Sequence, residues 1–510
     1  MFFDYCHSYS YNILTIISHK TSLAKHMTIE QIVAKMQENH PQVDTKLIVQ
    51  AYEFAKRAHG DQKRKTGEPY IIHPMHTAYI LIQIKADLPT VIAGLLHDVP
   101  EDTSTTIEEV EATFGAEVAM LVNGVTKLSK VKYRGVERYR ESLRKMFLAM
   151  AEDLRVVLIK FADRLHNLRT LDAVEAKSKI KTARETLEIY APIAGLLGVW
   201  SLKWQMEDLC FKYLYPEEYK AVEYRYEIER KVELNQYIQK LKLILAAELN
   251  KVGIEHNIEG RFKHLYSIWK KMSDKNRKFD DIHDVFALRV IVNNISDCYK
   301  VLGIIHSLWT PNYNRFKDYI AVPKPNGYRS LHTTVFGVNG KSTEFQIRTK
   351  EMHDEALYGV SAHFSYKEKN QKPLRWVKEI LDLQRDIKDT GEFITQAKIN
   401  IFQNRIFVFT PKGDVYDLPA DATPVDFAYA VHTDIGNKCT AAMINNKMSK
   451  LDQKLANGDT VEIILDQSRK RPNADWLKFV ATKRAKDKIK AQTRKFSLER
   501  LRKMVPGLNK

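Results

Sequence analysis

Apolar residues recur at helical spacing through the first two fifths of the chain and then give way to strand-like alternation. Within residues 28–220, stretches such as 47–58, 91–96 and 142–151 carry apolar side chains three and four apart, which predicts an all-helical region. Thr28, followed by Gln31 three residues later, reads as a capping box opening its first helix. A charged helical stretch, 227–249, looks like a connector. From about 250 the period changes. Val285 to Val292 and Thr333 to Val338 are β-branched and aromatic runs bounded by turns, and Thr343-Glu344-Phe345-Gln346-Ile347 alternates as a strand should. Residues 250–365 therefore read as a mixed α/β domain, and the polar helical stretch 370–398 as a linker. Residues 404–466 form a small β-rich unit with strands at 406–410 and 461–465 and a turn at Pro411-Lys412-Gly413-Asp414. No internal repeat is visible.

The predicted fold class is multidomain α and α+β. Its parts are an extension (1–27), a helical domain (28–220), a mixed α/β domain with its connector helix (221–369), a linker (370–401), a small β-rich domain (402–466) and a basic helical tail (467–510). A length of 510 residues exceeds what one core can hold. Residues 1–27 lack the basic start and long apolar stretch of a secretion signal; a disordered extension and a start at Met27 fit equally. No apolar run reaches the length of about 18 residues that a membrane helix needs, so no membrane association is expected. Cys6, Cys210, Cys298 and Cys439 lie far apart, which favours a reducing, cytoplasmic setting over a disulfide framework or zinc module. Of the net charge of +17, most falls in residues 469–510, with 15 Lys or Arg against 3 Asp or Glu. With Trp476 and Phe479 interleaved, that tail reads as a nucleic-acid contact or as a solvated basic helix.

His97-Asp98-Val99-Pro100-Glu101-Asp102-Thr103 packs a histidine and three carboxylates into six residues. As one helix it would stack His97 under Glu101 and Asp98 under Asp102. Acids held that close need a cation, and a His/Asp donor set suits a divalent metal such as manganese. His73, stiffened by Pro74, and Asp163, four residues before Asn167 on a helix face, are further candidate ligands. Two His and two Asp leave positions open for water and substrate, the requirement of metal-assisted hydrolysis, and Glu101 or Asp102 would orient or deprotonate the water. Arg64 and Lys65 would suit a phosphate-rich substrate. Farther on, Arg261, Lys263, Ser267 and Lys271 set cations and a hydroxyl along a loop and helix, a triphosphate-holding pattern or a basic helix face. Asp284 and Glu344 are separated carboxylates able to bind magnesium and take a proton. Tyr328, beside the turn at Asn326-Gly327, stacks on a purine or simply packs.

The blocks RKTGEPYIIHP, HDVPEDT and FADRLHNLRTL resemble the hydrolase half of the RelA/SpoT homologue family, whose long members make and destroy guanosine tetra- and pentaphosphate. The resemblance implies an HD-type hydrolase domain. In it His73, His97, Asp98 and Asp163 hold manganese, Glu101 and Asp102 activate water, and Arg64, Lys65, Thr66 and Asn167 hold the nucleotide. Pro100 departs from the usual aliphatic residue and is expected to bend the turn joining ligands to water activators.

The blocks GRFKH, KPNGYRSLHT and EFQIR resemble the family's nucleotidyltransferase-like synthetase half. This implies magnesium at Asp284, Glu344 as base for the 3′-hydroxyl of GDP or GTP, ATP phosphates at Arg261, Lys263, Ser267 and Lys271, and the guanine nucleotide at Asn326, Tyr328 and His332. Arg315-Phe316-Lys317-Asp318 matches the basic motif of bifunctional members. Phe262 stands where proline is usual, and Leu357 where glutamate is usual. Residues 408–414 through 458–463 resemble a β-grasp-like TGS domain, with His432 at the position that contacts uncharged tRNA. Together with the basic tail this implies tRNA and the ribosome as partners, in a C-terminally shortened member of the family. The expected function is bifunctional (p)ppGpp synthesis and hydrolysis in the stringent response. The alternatives are a hydrolase whose synthetase half only senses nucleotides, which Leu357 would favour, and an RNA-docking protein.

Overall fold

The computed structural model describes residues 27–129, 145–146, 149–150, 152–226, 231–275, 286–324, 327–361, 405–456, 458–469, 471–482 and 484–493. The chain divides into two compact units, Met1–Pro373 and Leu374–Lys510. The predicted extension up to residue 26, six of the ten residues of 142–151, and the linker 370–401 lie outside the described residues.

The first unit begins with helices α1 (Ile29–Asn39), α2 (Lys46–His59), α3 (Ile72–Gln83), α4 (Leu88–Leu96), α5 (Val99–Asp102), α6 (Ile107–Phe114), α7 (Ala116–Ser129), α8 (Leu154–Arg169), α9 (Ala176–Glu185), α10 (Ala191–Leu196), α11 (Trp200–Leu214) and α12 (Pro216–Tyr224). The expected Thr28–Gln31 capping box opens α1. In α4 every residue from Thr90 to Leu96 is buried, and α8 is buried on nearly all sides. Helices buried on nearly all sides belong at the centre of a bundle; α4 runs directly into His97 and Asp98, and α8 carries Asp163 in its second half and Asn167 in its last turn.

Helix α13 (Lys231–Lys251) occupies the predicted connector but is not a free strut. Its Ile238, Leu241, Leu245 and Leu249 are buried in the core of the α/β half, and its Tyr237 hydroxyl lies 2.8 Å from Thr343 Oγ1. Its charged residues gave the stretch a polar look, while the apolar ones face the sheet. Then come β1 (His256–Phe262), α14 (Leu265–Lys275), β2 (Phe286–Val292), α15 (Ile295–Leu308), β3 (Lys317–Asp318), β4 (Leu331–Phe336), β5 (Ser342–Thr349) and α16 (Lys350–Tyr358). The sheet order is β1-β2-β5-β4-β3, with β2 and β5 parallel and the other pairs antiparallel.

Register assigns its faces, because paired residues point the same way. Ile258, Val290, Ile347 and Leu331 align on the buried face. Glu259, Arg289, Gln346 and His332 align across the other, with Arg261, Glu344 and Arg348 beside them.

The helical and α/β halves of this unit share a core. Phe211 of α11 and Tyr219 of α12 join the cluster that includes Leu288 and Phe345. Trp269 of α14 lies 5.0 Å from Phe211 and 4.6 Å from Tyr215, ring centre to ring centre. The predicted boundary at 220/221 therefore cuts through packed side chains. At the far end of the sheet Lys85 pairs with Asp354 at 2.9 Å, and Val360 N donates to Leu197 O at 3.1 Å. Gly359 has a φ of +55°, and a Cβ there would lie 2.2 Å from Leu197 O.

The second unit pairs β6 (Arg405–Phe409) with β7 (Val415–Pro419), then adds α17 (Pro424–Val431), α18 (Thr433–Lys438), β8 (Cys439–Ile444), β9 (Lys447–Ser449) and β10 (Val461–Leu465) in the order β10-β8-β9. The start of the predicted basic tail is part of this unit. Trp476, Val480, Ala485 and Ile489 pack with Tyr429 and Cys439, and Arg469 lies over the Trp476 ring at 4.7 Å. Buried Asp426 holds that segment, accepting from Thr482 N and Oγ1 at 2.7 Å each and from Ala481 N at 3.0 Å. Trp476 is thus a core residue rather than an exposed base-stacking platform.

Candidate active sites

The HDVPEDT segment is two helices rather than one. Helix α4 ends at Leu96, and α5 starts at Val99 with Asp98 at its N-cap. Pro100 falls in the first turn of α5, where a backbone N–H has no helical acceptor, so it removes nothing the helix needs. The chain does bend in this segment, at the break between α4 and α5 that precedes Pro100. Because the helices change direction here, His97 and Asp98 face inward while Glu101 and Asp102 sit on the next turn.

His73 Nε2 lies 3.3 Å from Asp163 Oδ1 and 3.4 Å from Asp98 Oδ2; His97 Nε2 lies 3.2 Å from Asp98 Oδ1 and 4.0 Å from Asp163 Oδ1. Donor atoms of His73, His97 and Asp163 all fall within 4.8 Å of one another. All three residues are buried, and Asp98 is partly so. His97 Nδ1 donates to Gly94 O at 2.8 Å, so its Nε2 bears the lone pair, and that buried atom has no hydrogen-bond partner. Burial pushes the His97 pKa down and keeps the ring neutral. A lone pair aimed at two carboxylates is repulsive unless a cation lies between them, and this N/O donor set fits a divalent one.

Burial opposes ionisation of Asp163, yet Lys160 and the two histidines hold its pKa well below the usual range. Asp98 is likewise depressed, burial being outweighed by His97 and His73. Burial disfavours the charged form of His73, but Asp163 and Asp98 raise its pKa nonetheless.

Arg64 reaches across to α8, the helix that carries Asp163. One guanidinium nitrogen lies 3.1 Å from His166 Nδ1 and the other donates to Asn167 Oδ1 at 2.6 Å. Asn167 in turn donates to Asp163 Oδ1 at 2.5 Å. Lys65 and Thr66 are exposed on the adjoining turn. Sequence reasoning missed three supporting residues. Tyr70 sets its hydroxyl 2.5 Å from Asp102 Oδ2 and 3.0 Å from Asp98 Oδ2. Lys160 Nζ lies 2.7 Å from Asp163 Oδ2, and His166 Nδ1 lies 2.7 Å from His73 Nδ1. The Lys160–Asp163 spacing on α8 was legible; the Tyr70 and His166 contacts depend on tertiary packing.

On the polar face of the sheet, Arg261 donates to Gln346 Oε1 at 3.2 Å, and Gln346 Nε2 donates to Glu344 Oε1 at 3.0 Å. His332 Nδ1 lies 3.2 Å from the same Glu344 oxygen, and its Nε2 lies 2.8 Å from the Tyr328 hydroxyl. Burial would raise the Glu344 pKa, but His332, Gln346 and the charge of Lys263 bring it down to about 2. Lys324 Nζ lies over the Tyr319 and Tyr328 rings at 4.7 and 5.2 Å. Ser267 Oγ lies 2.8 Å from His264 Nε2, and Lys271 is one helical turn farther along α14. Asp284 and Asn326 lie outside the described residues. Leu357 is partly buried on α16, one turn past His353, whose Nδ1 lies 3.1 Å from an Arg348 guanidinium nitrogen. In the second unit, exposed His432 caps α18, its Nδ1 accepting from Asp434 N at 3.2 Å.

The geometry defines a class: a helical domain with a buried His/Asp site for a divalent cation, followed by an α/β domain whose sheet carries one polar, cationic face. Residues 51–200 match the HD domain, 260–371 the region found in RelA / SpoT proteins, and 406–465 the TGS domain. The chain is 48% identical over 479 residues to the guanosine-3′,5′-bis(diphosphate) 3′-pyrophosphohydrolase of Aquifex aeolicus, covering 93% of this chain and 68% of that one. It is 45% identical over 474 residues to the GTP pyrophosphokinase of Myxococcus xanthus, covering 90% and 62%. To the bifunctional (p)ppGpp synthase/hydrolase SpoT of Escherichia coli K12 it is 46% identical over 460 residues, covering 88% and 65%.

The chain belongs to the RelA/SpoT family. It spans 62%, 68% and 60% of the length of the first three curated relatives it matches. A solved structure of a metazoan orthologue of SpoT aligns at 27% identity and a TM-score of 0.27, covering 33% of this chain and 96% of that one.

Proposed function

We propose that this chain both hydrolyses and makes (p)ppGpp. In the hydrolase half, His73, His97, Asp98 and Asp163 would hold manganese, which when bound polarises a phosphate and acidifies water. Glu101 and Asp102, on the turn after the ligands, orient the attacking water and take its proton. Arg64, Lys65, Thr66 and Asn167 hold the nucleotide, and the 3′-pyrophosphate leaves as GDP or GTP is released. The observation that carries this reading is the His97 Nε2 lone pair turned toward the carboxylates of Asp98 and buried Asp163.

In the synthetase half, Glu344 accepts the proton of the 3′-hydroxyl of GDP or GTP as that oxygen attacks the β-phosphorus of ATP, AMP being the leaving group. Arg261, Lys263, Ser267 and Lys271 hold the ATP phosphates, Asn326, Tyr328 and His332 the guanine nucleotide, and Asp284 magnesium. A positioned, water-poor site is what phosphoryl chemistry mainly asks for. The relatives named for pyrophosphohydrolase, pyrophosphokinase and bifunctional activity support both halves of the reading. The TGS domain, through His432, and the basic segment after it would contact uncharged tRNA and the ribosome, in the cytoplasm.

A second reading, hydrolysis alone with the synthetase half sensing nucleotide, draws on Leu357: among the described residues Arg348 forms no ion pair. Two assays separate the readings, ppGpp with manganese and ATP plus GDP with magnesium. Both activities in the purified chain support the bifunctional reading. Hydrolysis alone would establish the second. Hydrolysis surviving Asp163→Ala would overturn the metal-site assignment.

A further inference from the structure

Two consecutive acids of the helical half reach into the segment proposed to hold ATP. Glu207 and Asp208 lie on α11 and are both buried. Asp208 accepts from Tyr266 N at 2.9 Å and Leu265 N at 3.3 Å, so it caps the first turn of α14 from 57 and 58 residues away. Glu207 Oε2 lies 3.1 Å from His264 Nε2, and its Oε1 accepts from Lys203 Nζ at 2.6 Å. Burial pushes the Glu207 pKa up, yet His264 and Lys203 outweigh it, and the carboxyl stays ionised.

An ionised carboxylate facing His264 Nε2 puts the ring proton on that nitrogen. The same Nε2 lies 2.8 Å from Ser267 Oγ. With the proton on Nε2, the serine oxygen can only accept there, so its own O–H turns away from the histidine and is available to a phosphate. The chain Lys203–Glu207–His264–Ser267 therefore orients a phosphate donor of one half from a helix of the other. Asp208 fixes the start of α14, from which Ser267 and Lys271 project.

We propose that Glu207 and Asp208, residues of the helical half, are positioning residues for the ATP-phosphate segment of the synthetase half. This rests on the bifunctional reading. The role is distinct from catalysis, because the hydrogen bonds of the two acids run to Lys203, His264 and the start of α14 and not to Glu344.

The test uses the whole chain, with two readouts: synthesis kinetics with ATP varied, and calorimetric binding of a non-hydrolysable ATP analogue with magnesium. For Glu207→Ala we expect the KM for ATP and the analogue Kd to rise about tenfold, the loss of one charge-assisted hydrogen bond, with kcat within about twofold. Glu207→Gln, whose amide oxygen can still accept from His264, should recover most of the affinity, and hydrolysis should be unchanged in both. In a double-mutant cycle, adding Glu207→Ala to Ser267→Ala should cost little beyond Ser267→Ala alone. Wild-type KM and Kd in Glu207→Ala, or fully additive losses in the cycle, would overturn the proposal. Were Glu207→Ala not to fold, Glu207→Gln and Glu207→Leu carry the same comparison at nearly constant volume; equal affinities in those two would overturn it as well. Failure of the wild-type chain to bind the analogue or make product would instead sink the bifunctional reading itself.

Discussion

The Nδ1 atoms of His73 and His166 face each other at 2.7 Å, so one must carry a proton and the other must not. Arg64 also approaches His166 Nδ1, at 3.1 Å, and a guanidinium can only donate. His166 Nδ1 is therefore the acceptor and His73 bears a proton on Nδ1, which leaves Nε2, the nitrogen facing Asp98 and Asp163, as the one able to offer a lone pair to a bound cation. Burial and the surrounding cations hold the His166 pKa well below its usual value, which keeps it neutral and able to accept. Second-shell partners of this kind are worth roughly 10–100-fold in metal affinity. His166→Ala should weaken manganese binding by that factor in a calorimetric titration, and His166→Asn should retain more of it. Equal affinities in the alanine variant and the wild type would rule the tautomer assignment out.

Pro100→Ala should be nearly silent. Proline in the first turn of α5 removes no helical hydrogen bond and only stiffens the unfolded chain, so stability should fall by no more than about 1 kcal/mol. Hydrolysis should stay within about twofold of wild type. A large gain in rate on restoring a backbone N–H would mean that the proline distorts the turn after all.

The acid limb of the synthesis pH profile should depend on His332. Glu344 titrates at about 2 because the hydrogen bonds of His332 and Gln346 outweigh burial. Without His332 burial is less opposed, and the pKa rises toward the usual carboxylate value. In the role proposed for Glu344 the ionised carboxylate accepts the proton, so activity is expected to be lost as pH falls through that pKa. His332→Ala should therefore move the acid limb of kcat/KM upward by at least about one unit, besides lowering the plateau. An unmoved acid limb would remove Glu344 from the role of base.

Gly359→Ala should destabilise the first unit by about 2–4 kcal/mol. It combines a positive φ with a methyl group 2.2 Å from the Leu197 carbonyl oxygen, and backbone cannot swing aside as a flexible side chain would. Thermal unfolding of the whole chain checks this; an unchanged midpoint would show that the seam is looser than described.

Asp426→Ala should release the segment that follows β10. It strips acceptors from Ala481 N and from both the N–H and hydroxyl of Thr482, costing about 2–4 kcal/mol. Limited proteolysis should then cut within 471–493 in the variant and spare the wild type.

Strands were the most readable signal in the sequence. The alternating stretch Thr343–Ile347 falls within β5, predicted residues 461–465 coincide with β10, and the β-branched run ending at Val292 coincides with β2. That His73, His97, Asp98 and Asp163 gather in one place was legible too, as residue types that repel one another unless a cation is present. What escaped notice depends on contacts made across large sequence separations. The role of Glu207 and Asp208 is invisible without α14 beside them, and a charged stretch such as α13 reads as solvated until its apolar stripe meets the sheet. Trp476 illustrates the opposite error: a tryptophan amid basic residues suggests a ligand platform, yet its ring completes a core with Tyr429 and Val480. Pro100 was misjudged because the break between α4 and α5 falls inside a segment that looks continuous.

The aromatic cluster of Phe211, Tyr215 and Trp269 has a spectroscopic consequence. Trp269 is one of six tryptophans, and it sits on α14 two residues from Ser267 with its ring against side chains of the neighbouring half. An indole so placed is quenched or shifted by small changes in the rings beside it. Replacing the other five would leave Trp269 as an intrinsic fluorophore whose emission should follow the spacing between α11 and α14 when nucleotides are added.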